Sequence, residues 1–139
     1  MNRRAISFAI LGAVLLAHSY VFATEPIEVA RASATAWLKT LDAADYPATW
    51  RTASEAFKAA IAADAWGQAA KAARSPLGQV KSRAERSATF RRTLPGAPDG
   101  EYIVIQFETA FEKKAQAVET ITATHEPDGN WRIGGYFVK

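Results

Sequence analysis

The chain has 139 residues, 49% of them hydrophobic and 22% charged, which is the composition of an ordinary soluble globular domain. It contains no cysteine, which excludes disulfides, cysteine-based zinc sites, thiol catalysis and anchoring through a lipidated cysteine. The formal charge of +3 includes Arg3 and Arg4; beyond them 15 basic residues face 14 acidic ones, so the balance gives no reason to look for nucleic acid or an anionic membrane.

Residues 1–23 read as a secretion signal. Arg3 and Arg4 precede a run of 13 residues from Ala5 to Ala17 that is apolar but for Ser7, and Val21-Phe22-Ala23 offers a small-residue cleavage site before Thr24. This is the charged, apolar and cleavage-region order of a signal peptide. The alternative, a retained N-terminal anchor, needs roughly 20 apolar residues, more than the run supplies. The expectation is an exported protein, periplasmic or secreted, with no membrane span after cleavage. Residues 24–139 then form a single α+β domain, of a length that suits one core.

Composition changes near residue 75. Ala30 to Ala73 holds 18 alanines in 44 residues and only five Val, Ile or Thr, whereas Gln79 to Lys139 holds fourteen β-branched residues. Alanine favours helix and β-branching favours the pleated surface, so helices should precede a sheet. Ile27, Ala30, Ala34, Trp37, Leu38 and Leu41 form one apolar stripe on a helix from about Glu28 to Ala43. Asp45-Tyr46-Pro47 starts a short helix holding Trp50, and Ser54-Glu55 starts another with Phe57 and Ile61 on one face. Asp64 reads as the N-cap of a helix that buries Trp66, Ala69, Ala70 and Ala73 and ends at Ser75-Pro76-Leu77-Gly78.

Four strands follow, at Gln79–Thr93, Tyr102–Phe111, Gln116–Thr124 and Trp131–Val138. The turns between them are a loop whose Asp99-Gly100 should supply positive-φ positions, then Lys113-Lys114, then Pro127 to Asn130. Short turns between consecutive strands predict an antiparallel meander with helices packed on one face. The fold expected is a curved, cone-like four-stranded meander under N-terminal helices.

Six segments keep the order of a known pattern: LDAADYPATW (Leu41 to Trp50), RSPLGQVKSR (Arg74 to Arg83), TLPGAPDGEY (Thr93 to Tyr102), QFETAFEKK (Gln106 to Lys114), VET (Val118 to Thr120) and DGNWRIGGY (Asp128 to Tyr136). Over about Ala34 to Lys139 the chain resembles an uncharacterised bacterial family, domain of unknown function 4019. That resemblance implies a compartment and no activity. Helices followed by a curved meander with a Gly-x-Trp last strand also resemble the nuclear-transport-factor-2-like cone fold. That fold hosts isomerases, dehydratases and pure binding modules, so it carries little functional weight.

Candidate chemistry is sparse. His125 is the one histidine beyond the signal and falls beside a turn, the setting of a solvent-exposed side chain. No oxygen-ligand run has calcium-loop spacing, and no glycine cluster forms a phosphate cradle, so neither a metal nor a cofactor is expected. Pairing Phe107 with Ile121 and Phe111 with Ala117 matches apolar to apolar and turns Glu119 to the core face beside Thr109. A carboxylate there needs a partner, for which Arg74, Arg83 and Arg86 are candidates. Two accounts follow: a structural Glu–Arg pair, or a ligand site built from Glu119, Arg83, Arg74, Thr109 and Tyr136. An enzyme would use Glu119 as base, with Tyr136 or Arg83 polarising a carbonyl.

Lys81, Arg83, Arg86, Arg91 and Arg92 form a basic run, best explained by pairing with Glu101, Glu108 and Glu112 on neighbouring strands. Trp37, Trp50 and Trp66 fall at apolar helical positions and Trp131 heads the last strand, so at least three of the four read as core rather than as a carbohydrate platform. Tyr102 and Val104, on the face opposite Ile103 and Ile105, suggest a homodimer through the open sheet face. The leading expectation is a non-enzymatic exported module that binds a small ligand or an envelope protein. The alternatives are the cone-fold enzyme and a self-associating structural module.

Overall fold

The structure, a computed structural model, describes residues 25–139; the signal expected at 1–23 lies outside them. Helix α1 (Glu25–Asp42) carries Glu25 and Glu28 in its first turn and Lys39 in its last, both favourable to the helix dipole. It buries Ala30, Ala34, Trp37, Leu38 and Leu41, with Ile27 half-buried, as the spacing predicts. The helix ends where Ala44 turns left-handed at φ 57° and the Asp45 N–H reaches back to the Thr40 carbonyl at 3.2 Å.

Helix α2 (Tyr46–Arg51) is capped by Asp45, whose carboxylate accepts from the Ala48 N–H at 3.1 Å. Helix α3 (Glu55–Ala60) is capped by Ser54, whose Oγ accepts from the Phe57 N–H at 3.2 Å. Helix α4 (Ala63–Arg74) departs from expectation. Its N-cap is Ala62, with no side-chain acceptor, and Asp64 lies in the first turn, where its charge still meets the dipole. Its buried residues are Trp66, Ala70 and Arg74, while Ala69 and Ala73 are exposed. Polar anchors set that four-residue spacing: the Trp66 Nε1–H donates to Thr49 Oγ1 and Arg74 donates to Asp42.

After a 3-10 turn (Ser75–Leu77) come β1 (Val80–Arg91), β2 (Tyr102–Phe111), β3 (Lys114–His125) and β4 (Trp131–Val138). They form one antiparallel open sheet in the order β1-β2-β3-β4, so the architecture is α+β, helices followed by a four-stranded meander. Ile103, Ile105, Phe107, Ile121, Ala123, Trp131 and Ile133 meet the α1 stripe and Trp66 in one core. Each large side chain fully buried there is worth about 1.5–3 kcal/mol. Thr49 takes both central indoles, its carbonyl from Trp37 at 2.9 Å and its hydroxyl from Trp66 at 2.9 Å. Trp37, Trp66 and Trp131 are buried, and Trp50 packs half-buried against the same core.

One turn, one register and one positive-φ position differ from the sequence expectation. The β2–β3 turn is Glu112-Lys113, not Lys113-Lys114, and Ile121 lies opposite Ile105 while Ala117 lies opposite Thr109. That register is two residues from the expected one, so every side chain keeps its predicted face. In the β1–β2 loop the positive φ belongs to Gly96 (76°) rather than to Asp99-Gly100.

Bulges decide which residues face the helices. On β1, Lys81 and Arg86 are extra residues, and between them Arg83 faces the core opposite Thr109. On β3, Ala115 and Gln116 together face Ala110, which turns Glu119 inward opposite Phe107. On β4, Gly134 is extra, so that Ile133 before it and Tyr136 after it both face the core. Each bulge reverses the alternation of its strand.

Candidate functional site

Reversed alternation on β1, β3 and β4 brings Arg83, Glu119 and Tyr136 under the helices beside Thr109 of β2, one polar side chain from each strand. Arg83 of β1 forks onto Glu119 of β3, Nε to Oε1 at 2.7 Å and Nη2 to Oε2 at 3.2 Å. Thr109 of β2 donates to Oε1 at 2.6 Å, and Tyr136 of β4 donates to Oε2 at 2.5 Å. The ends of two helices close the cluster. Asp42, the last residue of α1, accepts from Arg83 Nη1 at 2.7 Å and Nη2 at 2.9 Å, and from Arg74 Nη2, at the end of α4, at 2.8 Å.

The five residues singled out in the sequence, Glu119, Arg83, Arg74, Thr109 and Tyr136, therefore converge. Arg86 does not; it sits exposed at its bulge. Asp42 went unrecognised in the sequence. Its signal was a carboxylate in the last turn of a helix, where the dipole disfavours it and a cationic partner is implied. Glu126 was also missed: buried just after β3, it accepts the Glu55 N–H at the start of α3 at 3.0 Å.

Two carboxylates and two guanidinium groups make the cluster neutral. Glu119 is fully buried, and both of its oxygens are taken by donors of this chain. Arg74 is 6% exposed; its Nη1 stands 3.9 Å from Glu119 Oε2, its guanidinium lies 5.0 Å over the Phe111 ring, and its Nε and Nη1 find no acceptor among the described residues.

The environment moves three pKa values. Burial pushes Asp42 up, but the hydrogen bonds from Arg83 and Arg74 outweigh it and hold the carboxyl below its ordinary value. Burial likewise opposes the charge of Arg83, and the bonds to Asp42 and Glu119 outweigh it, so the guanidinium stays charged above its ordinary range. Burial, the charge of Glu119 and the bond to it together push the Tyr136 phenol far above its ordinary value. Tyr136 is a fixed proton donor.

Outside the cluster, the basic run does not pair as expected. Glu108 faces Ala84, Glu101 meets His125 Nδ1 at 2.6 Å, and Glu112 accepts the Gln79 N–H at 3.2 Å. Two of the five cations fall at bulges and Arg83 turns inward, which removes the simple cross-strand match. His125 is exposed beside the turn, as expected, and its ring also stacks on Trp131 at 4.8 Å and 18°. Tyr102 is only 7% exposed and donates to the Pro98 carbonyl at 2.5 Å, so its own loop covers it.

Two surface clefts stand out. One, of about 400 Å³, lies at the start of α1 between Pro26, Val29, Phe90 and Trp131, with Glu25, Glu101 and His125 at its rim. The other, of about 560 Å³, lies on the helix-free side of the sheet. Among the described residues no group of three or more His, Cys, Asp or Glu side chains is placed to hold a metal ion, and no helix is long and apolar enough to cross a membrane.

A family model described as "Protein of unknown function (DUF4019)" matches residues 33–136. No curated protein and no solved structure matches the chain.

Proposed function

The chain belongs to the DUF4019 family, whose description assigns no activity, and we propose its role from its own geometry. It is an exported, non-enzymatic binding module, and its ligand seat is the cleft at the start of α1. The observation that carries this reading is the closure of the buried cluster: Glu119 has no exposure and no free oxygen. A general base must reach a substrate proton, and this one is walled off by its own partners. The cluster is structural.

The cleft has what the cluster lacks. Val29 and Phe90, two of the three exposed large apolar residues among those described, stand at its walls at 45% and 37% exposure. Apolar walls with a few convergent polar groups are the ordinary build of a small-ligand site. Glu25 adds a carboxylate, and Glu101, bonded to His125 Nδ1 at 2.6 Å, adds a second. The ligand class that fits is a small organic cation with an apolar body.

Titration of the isotope-labelled, purified protein with phenethylammonium and with 3-phenylpropionate tests this by amide chemical shifts. Saturable shifts at Val29, Phe90, His125 and Trp131 with the cation alone are the expected result. Equal response to both probes, no response, or shifts centred on Glu119 and Tyr136 would overturn the reading. Export is supported by the order of residues 1–23 alone; its test is the intact mass of the protein recovered outside the cytoplasm, expected to lack residues 1–23.

A further inference from the structure

The helix-free face of the sheet carries a knob and a socket. Phe137 is the most exposed of the large apolar residues among those described, at 50%, and it projects from this face opposite Thr120. Beside it lies the 560 Å³ cleft, floored by small side chains such as Ala84 and Ala110. Its opposite-charge residues, Glu108 and Lys139, flank Val118 in a single row across β2, β3 and the end of β4. We infer that this face pairs with the same face of a second copy of the chain, each Phe137 entering the partner copy's cleft and each Lys139 meeting the partner copy's Glu108.

Three observations support a second copy as the occupant. Knob and socket share one face, which is the self-complementarity that a two-fold contact requires. The charges are also self-complementary: one acid and one base sit in the same row, so a two-fold partner presents the opposite sign to each. The size is suitable as well. Four strands about 4.8 Å apart and roughly 30 Å long give a footprint of roughly 600 Å² before side-chain relief. Standard interfaces bury about 800 Å² of accessible surface per partner.

Association by the sheet edge is blocked at β1, where Lys81 and Arg86 stand at bulges, a common protection of an exposed edge. The contact does not involve Tyr102, which its own loop covers.

Sedimentation equilibrium of the purified protein over a concentration series reads the assembly directly. Twice the protomer mass is expected, with Phe137→Ser and Glu108→Lys each weakening the dimer roughly tenfold or more, about 1.4 kcal/mol. The double exchange Glu108→Lys with Lys139→Glu is expected to restore it. Glu108 and Lys139 face solvent in the single chain, so the charge substitutions should not move the melting temperature measured below the dissociation range. Phe137→Ser, which removes a half-exposed ring under the Lys139 ammonium at 5.6 Å, should lower it only slightly. Protomer mass at every concentration, a dimer indifferent to both single substitutions, or failure of the double exchange to recover it would each overturn the inference.

Discussion

Arg83 and Glu119 lie on strands that are not neighbours, and the guanidinium reaches across β2 to form a two-pronged contact at 2.7 and 3.2 Å. The same guanidinium forks onto Asp42 at the end of α1. One side chain therefore links the edge strand, an inner strand and the longest helix. With Thr109, Tyr136 and Arg74 added, every strand and the ends of two helices meet in one neutral cluster. Breaking such a buried group by removing one member is costly, because an uncompensated charge stays behind.

Tyr136→Phe removes the hydroxyl that donates to Glu119 at 2.5 Å while leaving the ring against Trp37 at 5.6 Å. A hydrogen bond to a charged group is worth about 1.5–3 kcal/mol, and urea unfolding should show a loss of that size. The substitution should also change alkaline behaviour. The phenol holds its proton more tightly folded than unfolded, so its stabilisation is complete below the ordinary value of 10 and is lost as pH rises above it. Wild type should lose stability above pH 10 more steeply than the variant.

Asp42 works in the opposite direction. Its folded pKa lies below the ordinary value of 3.8, so its contribution is present above that pH and is lost as pH falls through the folded value. Asp42→Asn should be less stable than wild type at neutral pH and should flatten the acid limb of the stability curve below pH 3.8. Unfolding curves from pH 7 down to 2 check both. An unchanged acid limb would separate Asp42 from the cluster.

Ala44 sits at φ 57° just after α1, a left-handed conformation that costs a residue with a Cβ about 1 kcal/mol or more. Ala44→Gly should raise stability by about 0.5–1 kcal/mol after the greater freedom of glycine in the unfolded chain is offset. Thermal unfolding of the two proteins side by side is sufficient to measure it.

Gly134→Ala should be destabilising for a different reason. A Cβ there would stand 2.5 Å from Thr124 Oγ1, and either the Thr124 side chain or the bulge that turns Tyr136 inward would have to shift. The loss should exceed that of Gly135→Ala, whose Cβ would meet only an ordinary contact at 3.8 Å from Thr122. Chemical denaturation of the pair gives the ranking.

Much of this architecture was legible because its signals are local. The alanine-rich stripe of α1, the Asp45 and Ser54 caps and the bounds of β2 and β4 follow from periodicity and capping chemistry. The family was readable too, from six ordered motifs within the matched span of residues 33–136. Glu119 was found by matching apolar partners across a hairpin, and its inward facing survived a register wrong by two residues because the side-chain period is two. What stayed hidden was the set of single extra residues that turns two of the named candidates inward. Arg83 and Tyr136 face inward only because Lys81, Arg86 and Gly134 each break an alternation, and a bulge has no strong sequence mark beyond a glycine inside a strand. Glu126 was illegible because the helix it caps lies 71 residues away in the chain.

On the proposed reading, Glu119 and Arg83 hold the fold together rather than act on a ligand. A double-mutant cycle of Glu119→Ala, Arg83→Ala and the pair, followed by equilibrium unfolding, tests it most directly. Each single substitution should cost about 3–5 kcal/mol. The pair should cost far less than the sum, with a coupling of about 1–3 kcal/mol or more. Single losses under about 0.5 kcal/mol that simply add, the behaviour of surface positions, would show that the pair does not hold the fold.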